Sequence, residues 1–138
     1  MTRWILVLAI AACGSQQRDT DTLAESIRSY NEGVRWGRYA IAATKIPPRE
    51  RSQFVEQMDE RANDMRITDY EIVNVDAKNK RVANVRVKVS WYRDSEGTLH
   101  ETHAVQEWER QGQLWFMVGE HRVRGDEMPG LDEPVDGH

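Results

Sequence analysis

The chain of 138 residues has one cysteine, four prolines, two phenylalanines and a single long apolar run, Ile5–Ala12. A lone cysteine excludes an intramolecular disulfide and any paired-cysteine metal or redox motif. The apolar run is far shorter than the ~20 residues a membrane-spanning helix needs. Charge of one sign is also missing. Nineteen basic and 23 acidic side chains are interspersed, for a net charge of −4, so there is no basic stripe of the kind nucleic acid requires. Neither a Gly-rich phosphate loop nor a Ser–His–Asp arrangement is present. The four histidines lack metal-ligand spacing. Neither a metal nor a cofactor is expected.

What is present begins at the amino terminus. Arg3 supplies a positive charge, Ile5–Ala12 an apolar segment, and Ile10-Ala11-Ala12-Cys13 an aliphatic residue and two small ones before the cysteine. This is a secretory signal pattern, and its end resembles the lipobox of bacterial lipoproteins. The resemblance implies cleavage after Ala12 and diacylglycerol on the Cys13 thiol, which leaves no free nucleophilic thiol. It also implies attachment to the cell envelope through two or three acyl chains, enough for stable anchoring. Gly14 in place of an aspartate implies the outer membrane, facing the periplasm. The expected organisation is a signal peptide over 1–12, lipidated Cys13 and a polar tether over 13–19, one domain over 20–124, and a disordered acidic tail over 125–138. The 126 residues after cleavage carry about −5 and suffice for one domain.

The domain reads as helices followed by strands. Thr22 and Glu25 have capping-box spacing, and Leu23, Ile27, Tyr30 and Val34 form one apolar stripe that ends at Gly37. A short helix around Tyr39–Ala43 and a third over Arg49–Glu60 follow, the last with Phe54, Val55 and Met58 on its buried side. The period then becomes two. Tyr70–Val75 is a first strand. Ala83, Val85, Val87, Val89 and Trp91 alternate with polar residues in a second, half-buried strand. Leu99–Arg110 and Leu114–Glu120 return. Helices before an antiparallel meander give an α+β class, with the helices on one face of a curved sheet of about four strands.

Two stretches, Ser29–Gly37 and Glu107–Trp115, resemble the helix corner and last hairpin of the nuclear-transport-factor-two-like, or SnoaL-like, cone fold. Leu114 departs from that pattern by one residue. The likeness covers about Thr20–Arg122. It implies a cone that hosts enzymes, transporters or inert interaction domains. It also implies dimerisation through the open sheet face, a habit of this fold's relatives.

Candidate site residues follow from chemistry. Asp69, His103 and His121 are candidate general bases, as an Asp–His or Tyr pair is in cone-fold enzymes. Against His103 stands its row: Glu101, Glu107 and Glu109 share its face, as expected of a solvated surface. His100 and His103 point to opposite faces and cannot share a metal. The aromatic excess is more informative. Trp36, Tyr39, Trp91, Trp108 and Trp115 are candidates for a binding pocket or partner patch, with a core role favoured for Trp91 and Trp115. The expectation is a lipid-anchored, non-catalytic domain that binds an envelope protein or a small apolar ligand. The alternative is a small isomerase or hydrolase with an Asp or His base in the cavity.

Overall fold

The computed structural model describes residues 15–133, with side chains from Thr22 onward. Cys13 and the signal segment lie outside the described residues. The elements are α1 (Ser15–Arg35), α2 (Tyr39–Ala43), a 3-10 turn (Pro48–Glu50), α3 (Arg51–Arg61), β1 (Met65–Ala77), β2 (Val82–Arg93), β3 (Leu99–Gln111) and β4 (Leu114–Gly125). The strands form one antiparallel meander in the order β1-β2-β3-β4.

α1 is longer than its sequence signals suggest. It already runs at Ser15, so Thr22 is an interior residue and the expected capping box is not used. No proline or glycine separates Ser15 from Thr22, so nothing in that stretch stops the helix. Leu23, Ile27 and Tyr30 are buried, and Val34 is packed beside them, as the apolar stripe requires. The helix stops at Gly37, whose φ of 69° is the left-handed conformation a Cβ disfavours. There Arg38 N–H reaches the Gly33 carbonyl at 2.7 Å and Gly37 N–H the Val34 carbonyl at 3.4 Å, a Schellman closure.

The closure folds α2 back against α1 so tightly that a Cβ on Gly33 would lie 3.0 Å from both Ala42 Cβ and Ala42 N, and 3.1 Å from the Arg38 carbonyl. Two of these three atoms are backbone and cannot swing aside. Gly33→Val is therefore expected to destabilise the fold by about 1–3 kcal/mol, despite the better helix propensity of valine. Urea unfolding checks this, and an unchanged midpoint would show that the helices are not so closely apposed.

α3 differs from expectation. None of its residues is buried; Phe54, Val55 and Met58 are only half-buried. The helix lies across the mouth of the curved sheet and not flat on it. Its start is held by Arg51 Nε, which donates to the Ile46 carbonyl at 3.0 Å, and Phe54 leans on Tyr30 with ring centroids 6.0 Å apart.

Bulges curve the sheet. β1 slips register against β2 between Ile67 and Asp69 and between Ile72 and Asn74. β4 slips against β3 at the His103/Ala104 and Glu107/Trp108 steps. Each bulge bends its strand and adds twist. The concave face carries Ala83, Val85, Val87, Val89 and Trp91 from β2 and Thr102, Ala104, Gln106 and Trp108 from β3, all buried. Trp108 meets Tyr30 edge-on at 6.0 Å and 84°. Trp91 donates its indole N–H to Thr102 Oγ1 at 2.8 Å. With Trp115 and Met117, these side chains fill the narrow part of the cone.

Residues 126–133 are not the unpacked tail expected from their Gly, Pro and acid content. Asp126 N–H bonds the Glu101 carbonyl at 2.9 Å, Met128 is buried in the core, and Leu131 packs against it. Arg122 N–H bonds the Asp132 carbonyl at 2.8 Å, and the Arg122 guanidinium grips both carboxylate oxygens of Glu133. One buried methionine and a bidentate ion pair outweigh the composition of the segment.

Candidate functional site

Two concavities flank the helices. The first, of about 190 Å³, lies at the cone mouth beneath α3, between Phe54, Gln57, Met58, Tyr30, Met117, Glu120 and the returning segment Gly130–Asp132. From Glu120 in its wall a chain of hydrogen bonds runs into the core. Trp108 Nε1 donates to Gln106 Oε1 at 3.1 Å. Gln106 Nε2 donates to Asn31 Oδ1 and to Glu120 Oε2, both at 2.8 Å. Asn31 Nδ2 donates to the Ile27 carbonyl at 2.8 Å. Burial raises the Glu120 carboxyl above its ordinary range, against the Gln106 hydrogen bond and the Arg61 charge, which lower it. Burial, and then the charge of Glu120, push the Tyr30 phenol well above its ordinary value, so it stays protonated at any physiological pH.

The raised carboxyl has a measurable sign. A carboxyl with a higher pKa in the folded state holds its proton there after the unfolded chain has released its own. Its contribution to stability therefore falls as pH rises from the ordinary glutamate value through the raised one, and stays low above it. Glu120→Gln keeps an oxygen for Gln106 and removes the charge. It is expected to match the parent near pH 4 and to exceed it in urea midpoint by pH 8, with the gap opening between. A gap that opens toward acid would mean that Glu120 is stabilised as an anion.

The second concavity, of about 390 Å³, lies at the helix corner. Val34, Arg35, Trp36, Gly37 and Tyr39 line one side, and Arg61, Ala62, Met65, Arg66 and Ile67 the other. Trp36 is 61% exposed, because the Schellman turn places it outside the α1 stripe. Its ring carries the Arg35 guanidinium at 4.2 Å, and its Nε1 donates to Glu32 Oε2 at 3.0 Å.

The sequence candidates separate cleanly. Trp36 and Tyr39 line the groove at the helix corner. Trp91 and Trp115 are core, and so is Trp108, which is fully buried and presents nothing to a partner. None of Asp69, His103 and His121 lines either concavity. Asp69 is exposed at the β1 bulge, where Oδ1 accepts Tyr70 N–H at 2.9 Å. His103 lies opposite Lys88 on the outer face and meets Glu101 at 3.1 Å. His121 pairs with Val105 in the same outer row, and its backbone bridges to Asp132. Among the described residues no group of three or more His, Cys, Asp or Glu side chains could hold a metal ion.

Sequence reasoning missed Glu120. Plain alternation from Trp115 and Met117 sends residue 120 to the outer face. The bulge at Val118 reverses this: Met117 faces Trp108, Gly119 faces Glu107, and Glu120 faces Gln106 on the concave side. No turn residue marks that bulge, and the only hint is Gly119, where a Cβ would lie 3.2 Å from Glu107 Oε2.

No family model and no curated protein matches the chain. Solved structures do. A ketosteroid isomerase-like protein from Erwinia carotovora atroseptica superposes with a TM-score of 0.62 at 10% identity, over 75% of this chain and 95% of that one. A SEC-C motif containing protein from Rhodopseudomonas palustris gives 0.61 at 12%, over 83% and 98%. A scytalone dehydratase-like protein from Novosphingobium aromaticivorans gives 0.60 at 10%, over 89% and 97%. At such identities the likeness concerns architecture alone. The helices, the curved four-stranded sheet and these neighbours agree: the chain adopts the nuclear-transport-factor-two-like cone fold.

Proposed function

We propose that this chain is an outer-membrane lipoprotein domain, anchored through Cys13 and facing the periplasm, that binds a small ligand at the helix corner without chemical turnover. One observation carries the binding part. The cone interior is filled by Trp91, Trp108 and Trp115, while Trp36 stands exposed in a 390 Å³ groove. Ligand sites span about 300–1,000 Å³; the groove falls within that range and the mouth pocket below it. The anchor reading rests on the sequence Ile10-Ala11-Ala12-Cys13. Among the described residues no helix is long and apolar enough to cross a membrane, and the proposed attachment is by lipid.

Two measurements test the parts separately. Cells expressing the full chain and fed labelled palmitate should yield a labelled protein in the envelope fraction, and Cys13→Ala should abolish the label. An unlabelled parent chain rules out the anchor. Native mass spectrometry of the purified full chain should show a retained small molecule that Trp36→Ala loses. Equal retention by both proteins would move the ligand elsewhere.

A second reading has its own observation. Glu120, raised by burial, lies with a protonated Tyr30 in one pocket, a pairing suited to moving a proton. Two of the structural neighbours bear isomerase-like and dehydratase-like names. This reading requires the chain to accelerate exchange of the α-protons of a small ketone in deuterated water, and Glu120→Gln to abolish the acceleration.

A further inference from the structure

The groove at the helix corner is more selective than an exposed tryptophan alone would make it. Three arginines line it, Arg35, Arg61 and Arg66, with Trp36 and Tyr39, and no acidic residue is among the lining. The three arginines are not equally engaged. Arg66 is committed: Nη2 lies 3.3 Å from Asp94 Oδ2, and Nη1 donates to the Ala62 carbonyl. Arg61 gives one long bond, 3.4 Å, to the Pro129 carbonyl. Arg35 rests over the Trp36 ring. Among the described residues neither Arg35 nor Arg61 has an ion-pair partner. Of the acids around it, Asp94 is taken by Arg66, Glu120 faces the Arg61 charge from the mouth pocket, and Glu32 already accepts from Trp36 Nε1 at 3.0 Å and from the Tyr70 hydroxyl at 2.7 Å. In a chain of net charge −4, this gathers three arginines beside exposed aromatic surface.

We infer that the groove takes a small planar carboxylate, its ring against Trp36 and Tyr39 and its oxyanion turned toward Arg35 and Arg61. This rests on the reading that the groove is the binding site, and narrows its ligand from apolar to anionic. The reason is desolvation. A neutral apolar ligand would strip water from two guanidinium groups and give them nothing in return, which is costly. A carboxylate replaces that water with charge-assisted hydrogen bonds, for which the guanidinium fork is shaped. The ring is needed as well, because a bare inorganic anion would leave Val34, Met65 and Ile67 uncovered. Stacking an already cation-bearing indole against a second ring adds surface without a new polar demand.

The test titrates the full chain, with its tryptophan indoles ¹⁵N-labelled, against 2-naphthoate, neutral 2-naphthamide and inorganic phosphate. Naphthoate is expected to move the Trp36 indole signal to saturation. Naphthamide and phosphate should each bind at least tenfold more weakly. Arg35→Gln combined with Arg61→Gln should weaken naphthoate at least tenfold while the Trp91 and Trp108 signals stay in place, which shows that the fold is intact. Naphthamide binding as tightly as naphthoate would overturn the anionic ligand and leave the groove standing. Phosphate binding as tightly would overturn the planar one. If neither naphthyl compound moves Trp36, the groove is not the site and the reading beneath the inference falls with it.

Discussion

Replacing Trp108 by alanine is expected to remove about 3–5 kcal/mol of stability and to lower the thermal midpoint by on the order of 10–25 °C. Its indole is fully buried, meets Tyr30 edge-on, and holds the inner β3 row against α1. Val85, Trp91 and Trp115 belong to the same buried cluster, so the cavity would open inside the core. Against a total stability of ~5–15 kcal/mol for a domain of this kind, such a loss is large enough to leave much of the chain unfolded at 37 °C. The matched control is Trp36→Ala, which removes the same side chain from an exposed position and should cost well under 1 kcal/mol. Thermal and urea unfolding of both variants decide the matter. Equal, small effects would mean that the cone is not packed around Trp108.

The second large effect is expected at Gln106. Its amide serves four groups at once: it accepts from Trp108 Nε1 and Asn31 Nδ2 and donates to Asn31 Oδ1 and to Glu120 Oε2. Gln106→Leu keeps the volume and leaves an indole donor, an amide oxygen and a carboxylate without their partner. Each buried polar group so abandoned costs about 1–3 kcal/mol, and the carboxylate more when charged. A loss of about 2–5 kcal/mol is expected, and it should depend on pH. Without the amide that lowers its pKa, the Glu120 carboxyl rises further and holds its proton to higher pH in the folded state. The stability deficit against the parent should therefore widen as pH rises from about 5 to 8. Urea midpoints across that range measure it. A deficit constant with pH would show that Gln106 does not support Glu120.

The fold was largely legible because its strongest signals are local. The β2 alternation from Ala83 to Trp91 marks the concave face residue by residue, and the α1 stripe ends where Gly37 closes the helix. Leu114, one residue out of step with the expected hairpin, proves harmless: it pairs with Gln111 beside the turn, and Trp115 still faces inward. The solvated row of His103 was equally readable from its glutamates. The mouth pocket was not, since Glu120 reaches it only through the unpaired Val118. Nor was the packing of Met128, which depends on a chain reversal that pairs residues distant from any periodic pattern. The groove was half visible: Trp36 and Tyr39 stand out at a helix end, but Arg61 and Arg66 arrive from the other side of the corner and share no spacing with them. Local periodicity reports faces, whereas pockets are made where strands slip and helices turn.

The central claim is that the cone is filled, which leaves the outer corner for the proposed site. Hydrogen exchange at the individual indole N–H groups of the full chain tests it directly. Trp91 and Trp108, bonded to Thr102 and Gln106 inside the core, should exchange only through global unfolding, and Trp36 should exchange orders of magnitude faster from its exposed ring. Fast exchange at Trp108 would instead show water inside the cone, and the account of a packed interior with its site outside would be wrong.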